Sequence, residues 1–192
     1  MTVLRNDESS QIVPAGVWSV DAAHSSLEFG VKHMMIATVR GRFTAFEGTL
    51  EADPQGSARA SGLVHVASID TSNRDRDDHL RSPDFFDAER YPEIRFRSTR
   101  IERPEPSTYR VFGELTIKEI TREVELQASV LGSGRDPWGN DRIAIEATGE
   151  LDRRDFGLEW NQPLDGGGVL VGNKVKLLLD VSAVGSVQDA AA

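Results

Sequence analysis

Ser25-Ser26-Leu27-Glu28-Phe29-Gly30-Val31-Lys32-His33 alternates its side chains with a period of two: Leu27, Phe29, Val31 and His33 fall on one face, Glu28 and Lys32 on the other. This is the pattern of a half-buried β-strand. It returns in residues 41–52, 60–70, 93–102, 109–118, 122–132, 141–151 and 173–184, which makes about eight strands. Turn-forming runs separate many of them, among them Asp53-Pro54-Gln55-Gly56, Pro104-Glu105-Pro106-Ser107 and Asp136-Pro137-Trp138-Gly139-Asn140-Asp141. Short connections of this kind join antiparallel neighbours. A sheet of about eight strands with one apolar face must close into a barrel or pair into a sandwich, since an open sheet leaves bare edges. An eight-stranded barrel has room for its own side chains or for one small ligand, and alternation does not choose between these fillings.

Around the strands, the composition describes one soluble domain. The chain has 192 residues, 39% of them apolar and 28% charged, and its mean hydropathy of −0.36 excludes an integral membrane protein. A formal net charge of −9 argues against nucleic-acid binding and against lasting attachment to anionic lipid, and no stable membrane insertion is expected. Cysteine is absent, which removes disulfides and thiol chemistry. Residues 1–15 and 185–192 read as flexible ends flanking a domain over 16–184. The opening residues lack the apolar run of a secretory signal, so the expected location is cytoplasmic.

Residues 72–91 break the alternation. They are dense in charge, with Leu80, Phe85 and Phe86 as the main apolar members, and short helices are expected there. The charged run Arg74-Asp75-Arg76-Asp77-Asp78-His79-Leu80 reads as a solvated face, because it lacks the spacing and central glycine of a calcium loop. The four histidines, at 24, 33, 65 and 79, show no metal-ligand spacing. His65 reads as a strand-surface residue, and His33 as a core or pocket residue on the face of Leu27, Phe29 and Val31. No nucleophile elbow, phosphate loop or dinucleotide fingerprint is present. No cofactor or metal is expected. The positive signal is apolar excess where a barrel would open: His33-Met34-Met35-Ile36 ends a strand with adaptable methionine surface, and Leu80, Phe85 and Phe86 sit among basic residues.

Several stretches carry a family resemblance. They are Trp18-Ser19-Val20-Asp21 with His24-Ser25 and Phe29-Gly30-Val31-Lys32-His33; Val39-Arg40-Gly41-Arg42-Phe43 with Phe46-Glu47-Gly48; and Ile69-Asp70-Thr71 with Asn73-Arg74-Asp75. They continue in His79-Leu80-Arg81-Ser82, Asp84-Phe85-Phe86-Asp87, Tyr91-Pro92-Glu93-Ile94-Arg95-Phe96, Leu115-Thr116-Ile117-Lys118, and Asp152-Arg153-Arg154-Asp155-Phe156-Gly157. Together they resemble the YceI-like proteins, barrels that bind lipids and polyisoprenoids. The resemblance implies an all-β, extended eight-stranded antiparallel barrel similar to the lipocalins, with an apolar channel for an isoprenoid or other amphiphile and a helical lid at its mouth. Glu119 departs from it, standing where the family commonly has glycine, so that turn is expected to differ.

On this reading Phe29, Val31, Phe43, Phe96, Val111 and Ile145 form the channel wall. His33, Arg40, Arg42, Arg74 and His79 offer donors to a polar head, and Met34, Met35, Leu80, Phe85 and Phe86 gate access. The expected function is non-catalytic binding, transport or sequestration of a polyisoprenoid, isoprenoid quinone or fatty-chain molecule. Two alternatives stand beside it: an interaction or homodimerisation module whose barrel is filled by its own side chains, and an enzyme on a lipid-like substrate using His33 or His79 as acid and base.

Overall fold

The computed structural model describes residues 12–187. Three of the eight rails of the barrel are broken strands. β1 (Gly16–Val20) and β2 (Ser26–His33) share the first rail, on either side of a 3-10 turn at Ala22–His24. β3 (Ala37–Phe43) and β4 (Phe46–Ala52) share the second, and β5 (Ala58–His65) and β6 (Ile69–Asp70) the third. The others are β7 (Glu93–Glu105), β8 (Thr108–Ile117), β9 (Ile120–Arg135), β10 (Asp141–Asp152) and β11 (Val171–Val187).

Every pairing is antiparallel. The order β1-β4-β5-β7-β8-β9-β10-β11 closes on itself because β11 pairs back with β1, and β2, β3 and β6 extend the same rails beyond the ring. The result is an eight-stranded up-and-down barrel without free edges along the ring.

The alternation of residues 41–52 predicts one strand, and the structure divides it at Thr44 and Ala45. The break lies beside the 3-10 turn Val66–Ser68 on the next rail: Thr44 N donates to Ser68 O at 3.2 Å and His65 N to Ala45 O at 3.0 Å. Alternation survives a bend that neighbouring rails make together, so periodicity does not register it.

Helix α1 (Arg74–Arg81) follows β6. Asn73 caps it, its side chain accepting from Arg76 N at 3.0 Å, and Asp75 and Asp77 lie in the first turn while His79 and Arg81 lie in the last, each sign where the helix dipole favours it. Short helices were expected through residues 72–91; there is one, and residues 82–92 are turns tied to it by Phe86 N to Leu80 O and Ala88 N to Arg81 O. Pro83 lacks the amide hydrogen needed to continue the helix.

The expected tail from Gly185 is in part strand: β11 runs on to Val187, which pairs with Gly16. At the other terminus, Val13 and Pro14 are already folded against the barrel. The remaining residues of the expected flexible ends, 1–11 and 188–192, lie outside the described residues, as does most of the stretch on which the cytoplasmic expectation rests.

The connections between rails fall at two ends. The end holding the β4–β5, β7–β8 and β9–β10 turns is called the floor; the end holding the β2–β3 turn, α1, the β8–β9 turn and residues 153–170 is called the lid. At the floor, Trp18, Ile143 and Ala183 are buried together, with Val13, Leu50, Ile145 and Val181 packed against them. Trp18 is 1% exposed, and its ring lies against Gly185, its partner on β11, where any Cβ would collide with it. Its indole nitrogen donates to Pro14 O at 2.9 Å. Toward the lid, Phe43, Val66, Ile69, Phe85, Ile94, Ile117, Phe156 and Leu158 form a larger buried cluster.

Candidate functional site

Between the two clusters the barrel encloses a cavity of about 540 Å³, inside the range of roughly 300–1,000 Å³ typical of small-molecule sites. It runs the length of the barrel. Val13, Leu50, Tyr109 and Val130 line it near the floor; Val111 and Ile145 line it further along; Phe85, Leu158, Trp160 and Arg153 line it under the lid. On β11 alone, lining residues extend from Val171 to Ala183.

The wall follows strand parity. Val39 and Phe43 line the cavity, so the side chains between them point outward. Phe29, Val31, Phe43, Phe96, Val111 and Ile145, the six residues expected in the wall, all line it. The ring of Phe29 lies over Gly41, its β3 partner, where a Cβ would collide with it, and its centroid is 5.7 Å from that of Phe43.

The expected polar mouth is brought together only in part. His33 and His79 line the cavity. Arg40 and Arg42 are exposed on the outer face of β3, as their register between Val39, Gly41 and Phe43 requires, and Arg42 donates to Asp70 Oδ2 at 3.0 Å. Arg74 lies on the solvent side of α1, with Asp78 at 3.9 Å. The gate residues divide in the same way: Leu80, Phe85 and Phe86 face the cavity, whereas Met34 and Met35 occupy an exposed turn outside it. His65 is exposed, as expected.

Five residues under the lid escaped the sequence reading. Arg76, not Arg74, shares the cavity-facing stripe of α1 with His79 and Leu80, the i, i+3, i+4 spacing of one helix face. Asp77, read as part of a solvated charge run, is buried, and its Oδ1 accepts from Thr71 N at 2.9 Å and Thr71 Oγ1 at 2.5 Å. Arg76 completes this group by donating from Nε to Thr71 Oγ1 at 2.7 Å and from Nη2 to Thr71 O at 2.8 Å. The three side chains thus dock α1 onto the end of β6.

Arg153, 3% exposed, does the same for residues 157–172. It donates to Leu158 O, to Trp160 O at 2.9 Å and to Gly172 O at 3.0 Å, with Val171 O and Asn173 Oδ1 at 3.4 Å. Burial lowers its pKa from the ordinary guanidinium value, but an arginine keeps its charge under such conditions. Trp160 sits at the centre of the lid's aromatic contacts: His79 lies edge-on 4.7 Å from it, and Phe85 is 5.3 Å away. His79 Nε2 is 2.9 Å from Asp84 Oδ2, which orients the imidazole. Among the described residues no cluster of three or more His, Asp or Glu could hold a metal ion, and no helix is long and apolar enough to cross a membrane.

Chemically, this is a long apolar chamber with cationic and imidazole side chains gathered at one end. Comparison with known proteins agrees with its form. A UPF0312 protein of Photorhabdus laumondii is 37% identical over 139 residues, 71% of this chain and 72% of its own length. A UPF0312 protein of Staphylococcus aureus is 35% identical over 162 residues, 83% of this chain and 92% of its own. Among solved structures, BcnA of Burkholderia cenocepacia superposes with a TM-score of 0.74 at 25% identity, over 85% of this chain and 98% of its own. A polyisoprenoid binding domain from Saccharophagus degradans shares the fold, with a TM-score of 0.65 at 14% identity over 88% of this chain and 98% of its own. The YceI-like domain pattern matches residues 18–183, and with the barrel and its relatives this establishes that the chain belongs to the YceI-like family.

Proposed function

We propose that the barrel takes up one long amphiphilic molecule, a polyisoprenoid, isoprenoid quinone or fatty-chain compound, and holds it for transport or sequestration without altering it. The observation that carries this reading is the apolar cavity running from Val13 and Tyr109 to Trp160 and Arg153. A core that filled itself would leave no chamber of that length. The description of the Saccharophagus degradans domain as polyisoprenoid binding is in keeping with it. Burying about sixteen methylene groups at about 0.8 kcal/mol each supplies on the order of 13 kcal/mol before ordering costs, so about two thirds of that corresponds to micromolar or tighter retention. Arg76, Arg153, His79 and His33 are the groups a polar head would meet under the lid.

The test is to purify the protein gently, denature it, extract with organic solvent and weigh what is released. One amphiphile at near-equal molar ratio is the expected result. Val111→Trp, which places an indole inside the channel, should leave the fold intact and release an extract depleted by about tenfold. An empty extract from the unaltered protein, repeated after incubation with isoprenoids and quinones, overturns the reading.

A further inference from the structure

The turn joining β2 to β3 presents three consecutive apolar side chains to solvent: Met34, Met35 and Ile36 are 44%, 58% and 78% exposed. Packing does not account for them. Nor does turn chemistry, since Ile36 N closes the turn on His33 O at 3.2 Å and both central residues have positive φ, 51° and 63°, positions that glycine and asparagine occupy with least strain. The chain therefore keeps two methionines at a site where they are conformationally disfavoured and unburied. Strained residues of this kind cluster where they serve a function.

The surroundings identify what that is. The tip stands at the lid, bonded to the cavity rim through Met34 N to Leu170 O at 2.8 Å, and both His33 and Leu170 line the cavity. Behind the tip the outer face of the β2–β3 hairpin is cationic. Lys32 lies two residues from Met34 and Arg40 four residues from Ile36, or about 7 and 14 Å along the strands, and Lys176 on β11 lies level with Arg40, both flanking Gly30. From Gly30 to Arg42 the hairpin carries no carboxylate. Lys32 and Arg40 are exposed and form no ion pair among the described residues. An apolar tip backed by a basic collar matches the interface of an anionic bilayer, apolar below and negatively charged at the surface. Lys176 faces Glu150 of β10, so the charges that set the sign of the field nearest the tip are the hairpin's own Lys32 and Arg40.

We propose that the β2–β3 tip docks the barrel reversibly on an anionic lipid bilayer, with Met34, Met35 and Ile36 entering the interface and Lys32, Arg40 and Lys176 meeting the headgroups. The cavity reading enters only as the reason for approaching a bilayer, since a water-insoluble guest would be exchanged there, at the lid.

The experiment is sedimentation of the full chain with vesicles of phosphatidylcholine alone and of phosphatidylcholine mixed with phosphatidylglycerol. Binding is expected to the mixed vesicles and to weaken with salt. Met34→Asn/Met35→Gly removes two of the three anchoring side chains while giving the turn residues it prefers, so its fold should be at least as stable and its vesicle binding lower by about tenfold or more. Lys32→Gln/Arg40→Gln should remove the preference for phosphatidylglycerol. Trp138→Ser, which deletes an 82% exposed ring from the floor, should leave binding unchanged.

Equal binding by the tip variant and the unaltered chain overturns the proposal. So does loss of binding with Trp138→Ser, or a self-association of the chain that the tip variant abolishes, which would assign the tip to a second copy. The unaltered chain separates the two readings: vesicle binding with an empty extract counts against the cargo alone, and an extracted amphiphile without vesicle binding counts against the docking alone, while Val111→Trp, whose change lies inside the channel, should bind vesicles as the unaltered chain does.

Discussion

The two ends of the barrel use the left-handed region of the backbone differently. At the floor, the positive-φ residues of the β4–β5 and β9–β10 turns are Gly56 and Gly139, which adopt it without strain. At the lid, Met34, Met35, Ser72, Asp87, Lys118 and Glu119 adopt it with side chains attached, and these are all the non-glycine positive-φ residues among the described ones. The means of closure differ as well. The floor is shut by β1, paired on both sides by β4 and β11, over a packed Trp18. The lid consists of segments outside the ladder, α1 and residues 153–170, pinned by the buried polar side chains of Asp77 and Arg153. Strain and hydrogen-bonded pins at one end, relaxed turns and continuous strands at the other, make the lid the end that opens at lower cost.

Three changes would break or sharpen this contrast. The largest effect is expected from Trp18→Ala, which removes the floor's buried indole and should cost about 3–5 kcal/mol in denaturant unfolding. The loss should be global, because the strands of the floor belong to the ring. Next is Arg153→Leu, which strips the carbonyls of Leu158, Trp160 and Gly172 of their donor and should cost about 2–3 kcal/mol. Here hydrogen exchange should rise first in residues 157–172, and protection lost equally in β1 would show that lid and floor unfold as one unit. The smallest is Glu119→Gly. With φ of 101°, this position should gain about 1 kcal/mol on substitution, offset slightly by the loss of the long Tyr91 Oη to Glu119 Oε2 bond at 3.4 Å.

That last residue marks how far the sequence could be read. The departure of Glu119 from the family's glycine was visible, and at that residue the structure has a positive φ in a hairpin that pairs Ile117 with Ile120. The strands and the wall were legible because alternation reports facing directly: Phe29, Val31, Phe43 and Phe96 had only to be placed on the inner face. The same rule applied to Arg40 and Arg42 would have turned them outward beside Phe43. Selecting basic residues by proximity in sequence ignored it. On α1 the error was one of phase, since helical spacing from Leu80 selects Arg76 where charge alone suggested Arg74. Arg153 and Trp160 left no periodic trace. Their partners are backbone carbonyls and rings gathered by an irregular loop, and such contacts exist only once the barrel has closed.

β11 meets β10 on one side and both β1 and β2 on the other. Until it pairs, the remaining strands form an open trough with its apolar wall in water, because no other strand joins β10 to the first rail. Closure must then link residues 16–33 to residues 171–187, a separation that makes the final step slow relative to the local hairpins. A chain emerging from synthesis would present that trough before it is a barrel, so an amphiphile present at that moment would be enclosed by folding itself, without having passed the lid.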